Sequence, residues 1–233
     1  MIFRQLFDST SSTYTYLLAD EQSREAVLVD TVREQEPRDT KPRESSGSSE
    51  VHARHPRPRR PRHQRWRLED QLGAQTVVSA RGGAVCADRL VDDGDRLAFG
   101  RYTVEVVATP GHTSGCVTYV VRDGDRVLAF TGDTLLVRGC GRTDFQQGDA
   151  HALFHSVRDK LFALPDHTLV YPGHDYRGNT VTTIGEEKQH NPRLNLSIDE
   201  DRFVEIMGAL NLANPKLMDV AVPANLACGQ PAT

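Results

Sequence analysis

Three residues able to hold a metal ion stand in short glycine-flanked turns, each just past an apolar run. His112 lies in Pro110-Gly-His-Thr-Ser-Gly115, Asp133 in Phe130-Thr-Gly-Asp-Thr134, and His174 in Pro172-Gly-His-Asp-Tyr176. Imidazole nitrogen and carboxylate oxygen are standard ligands for divalent metals. A fourth turn, Gly139-Cys-Gly-Arg-Thr-Asp-Phe145, carries Arg142, whose planar fork suits a carboxylate. Each residue alone has a plainer role. A loop histidine is commonly only solvated, an aspartate caps a turn, and an arginine makes a surface salt bridge. What favours a joint metal site is the shared placement beyond strand ends, where glycine and proline force turns and small residues let a ligand approach the backbone.

For those turns to meet, the runs before them must be strands with their ends on one edge. Residues 2–7, 13–20 and 25–30 read as an opening β-meander, turned by Asp8-Ser-Thr-Ser-Ser12. Thr76–Ser79 reads as a strand. Residues 95–99 and 102–108 read as a hairpin about Gly100, and residues 116–122 and 126–131 as another about Asp123-Gly124. Asp149 is expected to cap a helix with the apolar stripe Leu153, Val157, Leu161 and Leu164, stopped by Pro165. Residues 168–171 form a buried strand, and 183–190 and 199–210 two further helices. An irregular end is expected from Pro215. Hairpins followed by strand–helix units imply a layered α/β sandwich.

At 233 residues the chain fits one domain, and 38% hydrophobic with 26% charged residues is ordinary for a globular protein. A net charge of −4 gives no global attraction to nucleic acid or an anionic membrane. No apolar run is long enough to span a bilayer, and the first residues lack a signal-peptide core, so a cytoplasmic location and no membrane partner are expected. Cys86, Cys116, Cys140 and Cys228 have no Cys-x-x-Cys spacing. Cys86 and Cys116 are expected as buried thiols, and Cys140 as a candidate lining the site.

The composition breaks between Arg33 and Arg67. This stretch has no Leu, Ile, Phe or Met, holds prolines at 37, 42, 56, 58 and 61, and carries seven arginines and no acid from Arg54 to Arg67. It cannot bury enough apolar surface to offset its ordering entropy, and reads as a disordered basic insert. Beyond it, residues 66–72 read as the tail of a helix ended by Gly73.

The motif-bearing segments Met1–Asp8, Ser11–Asp30, Thr109–Tyr119, Phe130–Gly148, Tyr171–Tyr176 and Asn191–Leu194 together resemble the metallo-β-lactamase superfamily, and within it the glutathione persulfide dioxygenases. The run Gly139-Cys-Gly-Arg-Thr-Asp-Phe-Gln-Gln-Gly148 is the specific part; glyoxalase II hydrolases share the His and Asp turns without it. The resemblance implies an α/β fold, the αββα four-layer sandwich, as one domain over 1–233. Residues 33–67 form an aberrant Arg/Pro-rich segment in place of one helix–strand–loop unit. It implies oxidation of glutathione persulfide to sulfite and glutathione by O₂ at one Fe(II) per chain. His112 and Asp133 become two iron ligands, with His174, Asp175 and Tyr176 just behind them. Arg142, Cys140 and Thr143 become substrate contacts. The reading admits a homodimer.

The family's first ligand motif, His-x-His-x-Asp-His, belongs near residues 56–62 and is absent; Arg54-His-Pro-Arg-Pro-Arg-Arg-Pro-Arg-His63 stands there. If these arginines use CGN codons, a one-nucleotide shift turns the stretch from Glu50 to Gln64 into Arg-Tyr-Thr-Leu-Ala-Thr-His-Val-His-Ala-Asp-His-Val-Thr. A compensated frameshift over about residues 36–66 is therefore inferred. Sequencing codons 33–70 decides it, because a gene lacking CGN there sinks the idea. A facial triad needs two histidines and a carboxylate, so the chain as written is expected to bind iron weakly and turn over little. His52, His55 and His63 are poor substitutes, because ligand geometry must be held by packing. The missing elements are expected to cost stability on the order of several kcal/mol. Two other functions stay in view: a zinc thioesterase of the glyoxalase II kind, and a non-catalytic protein whose arginine-rich segment binds nucleic acid, disfavoured by the lack of stacking aromatics beyond Trp66.

Overall fold

The computed structural model describes residues 1–31, 51–54, 73–83, 87–144 and 147–210. The expected helix tail at 66–72, most of the arginine-rich insert, the end from Pro215, and Cys86 and Cys228 lie outside them. Two compact units divide the chain: one contains residues 1–91, 98–101 and 213–233, the other residues 92–97 and 102–212.

The first unit opens with the expected meander. Strands β1 (Ile2–Asp8), β2 (Thr13–Ala19) and β3 (Ala26–Val29) pair antiparallel in sequence order, with Gln5 opposite Tyr16 and Tyr16 opposite Val29. Tyr14, Tyr16, Leu18, Val27, Leu28 and Val29 are buried, so β-branched and aromatic residues fill the positions where a pleated surface packs best. Asp20 closes the meander. Its buried carboxylate accepts the backbone N–H groups of Gln22 (3.1 Å) and Arg101 (3.0 Å) and the Arg101 guanidinium (3.2 Å).

A second small sheet contradicts one expectation. Val51–Arg54, inside the supposed disordered insert, forms β4 and pairs antiparallel with β5 (Ala74–Ser79), which also pairs parallel with β6 (Arg89–Val91). The reason is backbone satisfaction. Val77, Val78 and Ser79 are buried, and a buried strand leaves costly unpaired amides unless both edges are covered.

The second unit carries the chemistry. After β7 (Arg96–Phe99), strand β8 (Tyr102–Ala108) pairs antiparallel with β9 (Val117–Asp123), and β9 with β10 (Arg126–Gly132). Strand β11 (Leu169–Pro172) runs parallel to β10, and β12 (Thr182–Thr183) borders it. Two antiparallel steps return β10 to the direction of β8, and the parallel step keeps β11 in it. The C-terminal ends of β8, β10 and β11 therefore share one edge of the sheet. His112, Asp133 and His174 follow those three ends.

Helices cover one face of this unit. Asp149 accepts the Ala152 N–H (3.0 Å) and starts α1 (Ala150–His155), which widens into a π-helical turn over Ser156–Leu161 where a plain α-helix is expected. In that turn Ser156 Oγ donates to the carbonyl of Pro110 (2.7 Å), tying it to the loop before His112. Helix α2 (Ile184–His190) begins with a capping box between Thr183 and Glu186, and α3 (Glu200–Gly208) with Asp199. Leu135, Leu153, Val157, Leu161, Val170, Ile184, Leu194, Phe203 and Met207 form one core beneath them.

Candidate metal centre

The three strand-end turns place His112 and His174 on the two oxygens of the Asp133 carboxylate. His112 Nδ1 lies 2.7 Å from the backbone carbonyl of Arg142. A carbonyl only accepts, so Nδ1 carries the proton and Nε2 presents its lone pair. That Nε2 stands 3.5 Å from Asp133 Oδ2, beyond ordinary hydrogen-bond range. Two acceptors facing each other at this distance form a pair that a cation can bridge, since metal bonds of about 2.1 Å span it. The chemistry of this donor pair fits a metal ion.

His174 acts differently. Its Nδ1 lies 2.6 Å from Asp133 Oδ1, a short hydrogen bond that orients the carboxylate and leaves Oδ2 toward His112. Burial pushes the Asp133 carboxyl up, but the His174 and His112 imidazoles outweigh it and hold it at about 2. The Tyr176 ring stacks on His174, with centroids 6.3 Å apart and planes 9° apart, and is otherwise exposed. Asp175 is buried and faces its own loop, accepting the N–H groups of Arg177 and Asn179 (2.7 Å each) and the Asn179 amide (3.1 Å). Among the described residues no group of three His, Cys, Asp or Glu side chains is placed to hold a metal ion by itself.

Glycines let these turns approach one another. A Cβ on Gly141 would lie 2.8 Å from the His112 ring and 2.5 Å from the Asp133 carbonyl, to which the Gly141 N–H donates (2.7 Å). Arg142 sits beside them. Its guanidinium grips Asp144 with Nε (2.6 Å) and Nη2 (2.5 Å), and that hydrogen bond raises the arginine's already high pKa. Thr143 follows, half-buried, with its backbone against Gly148.

Cys140 departs from expectation. It is 4% exposed, its Sγ lies 3.8 Å from Met207 Sδ, and burial pushes its thiol up to about 11. It is a core residue whose sulfur and carbonyl both accept from Arg193 (3.9 and 3.2 Å). Cys116 is half-buried, with Sγ 3.1 Å from Thr113 Oγ1.

Sequence reasoning passed over the residues that hold this loop from behind. Glu187 and Asn191, both fully buried, together with Arg138 and Arg193, brace the chain between Gly139 and Arg142. The only signal was a carboxylate on the apolar side of α2, too weak to distinguish from a solvated face.

Comparisons with known proteins give the family. The profile of the Metallo-beta-lactamase superfamily matches residues 45–174. Human mitochondrial persulfide dioxygenase ETHE1 is 50% identical over 98% of this chain and 89% of its own length. The crystal structure of ETHE1 from Myxococcus xanthus superposes with a TM-score of 0.85 at 50% identity, covering 99% of this chain and 100% of that one. A hydroxyacylglutathione hydrolase from Brucella ovis is 43% identical, but over only 49% of this chain and 38% of its own. The chain thus has the metallo-β-lactamase fold and belongs, within the metallo-β-lactamase superfamily, to the persulfide dioxygenase family.

Proposed function

We propose that this protein is a sulfur dioxygenase that oxidises glutathione persulfide to sulfite and glutathione, at one Fe(II) held by His112 and Asp133. The balance is RSSH + O₂ + H₂O → RSH + SO₃²⁻ + 2H⁺. Bound iron would supply the coordination site for sulfur and the redox chemistry with O₂. The residues on hand do the rest. Arg142 offers a guanidinium fork to the substrate's carboxylate or persulfide. The Arg142 carbonyl fixes the His112 tautomer, and His174 orients Asp133 from behind. The observation that carries the reading is the 3.5 Å approach of His112 Nε2 to Asp133 Oδ2, with the Arg142 carbonyl bonded to Nδ1 of the same histidine.

The family's His-x-His-x-Asp-His motif is absent from the sequence, so the chain as written is proposed to load iron weakly. The test compares it with a version in which residues 50–64 carry the shifted-frame sequence. Expected for the restored chain is one iron per chain and O₂ uptake driven by glutathione persulfide, with far less of both in the original. Two zincs and thioester hydrolysis in the restored chain would move the protein to the glyoxalase II reading, whose named relative aligns over only half of it. Tight stoichiometric iron in the original chain would refute the impairment. Among the described residues no helix is long and apolar enough to cross a membrane. A cytoplasmic location is part of the proposal, whereas the human relative is named as mitochondrial.

A further inference from the structure

We propose that Glu187 is a positioning residue for the metal-facing nitrogen of His112, acting through the backbone of residues 138–142. Its carboxylate is fully buried and gathers donors from three places. These are the Arg138 N–H (3.0 Å) and guanidinium, the Thr182 hydroxyl (2.8 Å), and the Asn191 amide (2.8 Å). A buried charge is tolerated only with such a complement, and a complement of fixed donors fixes whatever carries them.

What they carry is the turn between β10 and Arg142. Each of five successive residues gives a backbone group to a partner beyond the turn's own path. Arg138, held in the left-handed region at φ 55°, donates its N–H to Glu187. The Gly139 carbonyl accepts from the Asn191 amide (3.1 Å), whose nitrogen also reaches Glu187. The Cys140 carbonyl accepts from Arg193 (3.2 Å), and Asn191 Oδ1 holds the N–H of Arg193 (3.0 Å). The Gly141 N–H donates to the Asp133 carbonyl, and the Arg142 carbonyl accepts from His112 Nδ1. The series starts on one buried carboxylate and ends on the histidine that faces Asp133. Without Glu187, Arg138 has no reason to keep a positive φ, and the carbonyl that selects the His112 tautomer loses its fixed place.

This inference rests on reading His112 as a ligand, but its test needs neither metal nor substrate. The full chain, labelled with ¹⁵N, is examined by two-bond proton–nitrogen correlation at pH 8.5, where an ordinary imidazole is neutral; His112 is assigned by loss of its signals in His112→Gln. The original chain is expected to show one tautomer, with Nδ1 protonated. Glu187→Gln keeps the shape but turns an amide toward groups that donate, and is expected to give a mixture with converging nitrogen shifts. Val120→Ala, in the separate cluster of Val120, Val127 and Ala129, is expected to lower stability while leaving His112 unchanged. Should Glu187→Gln not fold, Thr182→Val removes one donor and is expected to give a smaller shift in the same direction. A single tautomer retained in the folded variant, or an equal shift in Val120→Ala, overturns the proposal. Either result leaves the persulfide reading untouched, because iron loading and O₂ uptake are measured separately.

Discussion

Gly141→Ala tests the centre through one methyl group. The added carbon would sit 2.8 Å from the His112 ring and 2.5 Å from the Asp133 carbonyl, against the 3.5–4.0 Å at which carbon contacts are comfortable. Neither neighbour can withdraw cheaply. The ring is fixed by its 2.7 Å bond to the Arg142 carbonyl, and the Asp133 carbonyl by its 2.7 Å bond to Gly141 itself. Overpacking of this kind costs about 1–3 kcal/mol. For a domain of this size that lowers Tm by roughly 2–12 °C. Gly208→Ala is the control, at the end of α3 with nothing within 4 Å of the new carbon, and is expected to be neutral or to stabilise by about 0.5–1 kcal/mol. Scanning calorimetry and the His112 nitrogen spectrum are read together. If Gly141→Ala melts within about 1 °C of the original and keeps the same His112 spectrum, the contact between the two turns is not as described.

Acid sensitivity should trace to Asp20. The Gln22 N–H, with the Arg101 backbone and guanidinium, holds its carboxyl below the usual carboxylate range despite burial. A depressed folded pKa contributes stability that is complete above the unfolded value of 3.8 and is lost as pH falls through the folded one. Asp20→Asn should therefore flatten the acid limb of Tm against pH, and an unchanged limb below pH 4 would exclude this group. Asp144→Asn should free the Arg142 fork for a carboxylate ligand. The pair is half exposed on the aspartate side and screened by solvent, so calorimetric binding of glutathione should tighten only modestly. Weaker binding would mean that Asp144 positions Arg142 instead of competing for it.

The sequence made the chemistry legible because metal turns leave punctuation. Pro110-Gly111, Gly132 and Pro172-Gly173 follow apolar runs, and those runs are β8, β10 and β11 within a residue or two. The convergence was legible too, since hairpins and one crossover leave few alternatives for strand direction. What stayed hidden depends on partners distant in the chain. Cys140 looked like a site residue because glycines flank it, yet those glycines aim its side chain at Met207. The π turn over Ser156–Leu161 keeps the same four-residue apolar spacing as an α-helix, so the pattern does not distinguish them. Strand β4 arises from the needs of β5 and not from its own composition. The Glu187 cluster binds residues 138, 182 and 191, separations that no local pattern encodes.

The ladders joining β8 through β12 draw on residues 102–183 alone. None of these ladder pairings includes His112, Asp133 or His174, which stand in the turns beyond the strand ends. Folding and turnover can thus fail independently in this architecture. On the proposed function, a substitution in the turns alone, such as His112→Gln, would leave a polypeptide that passes the cell's quality control, accumulates to ordinary abundance and answers to an antibody, while clearing no persulfide. Protein level would then be a misleading proxy for capacity, and only a flux measurement would reveal the deficit.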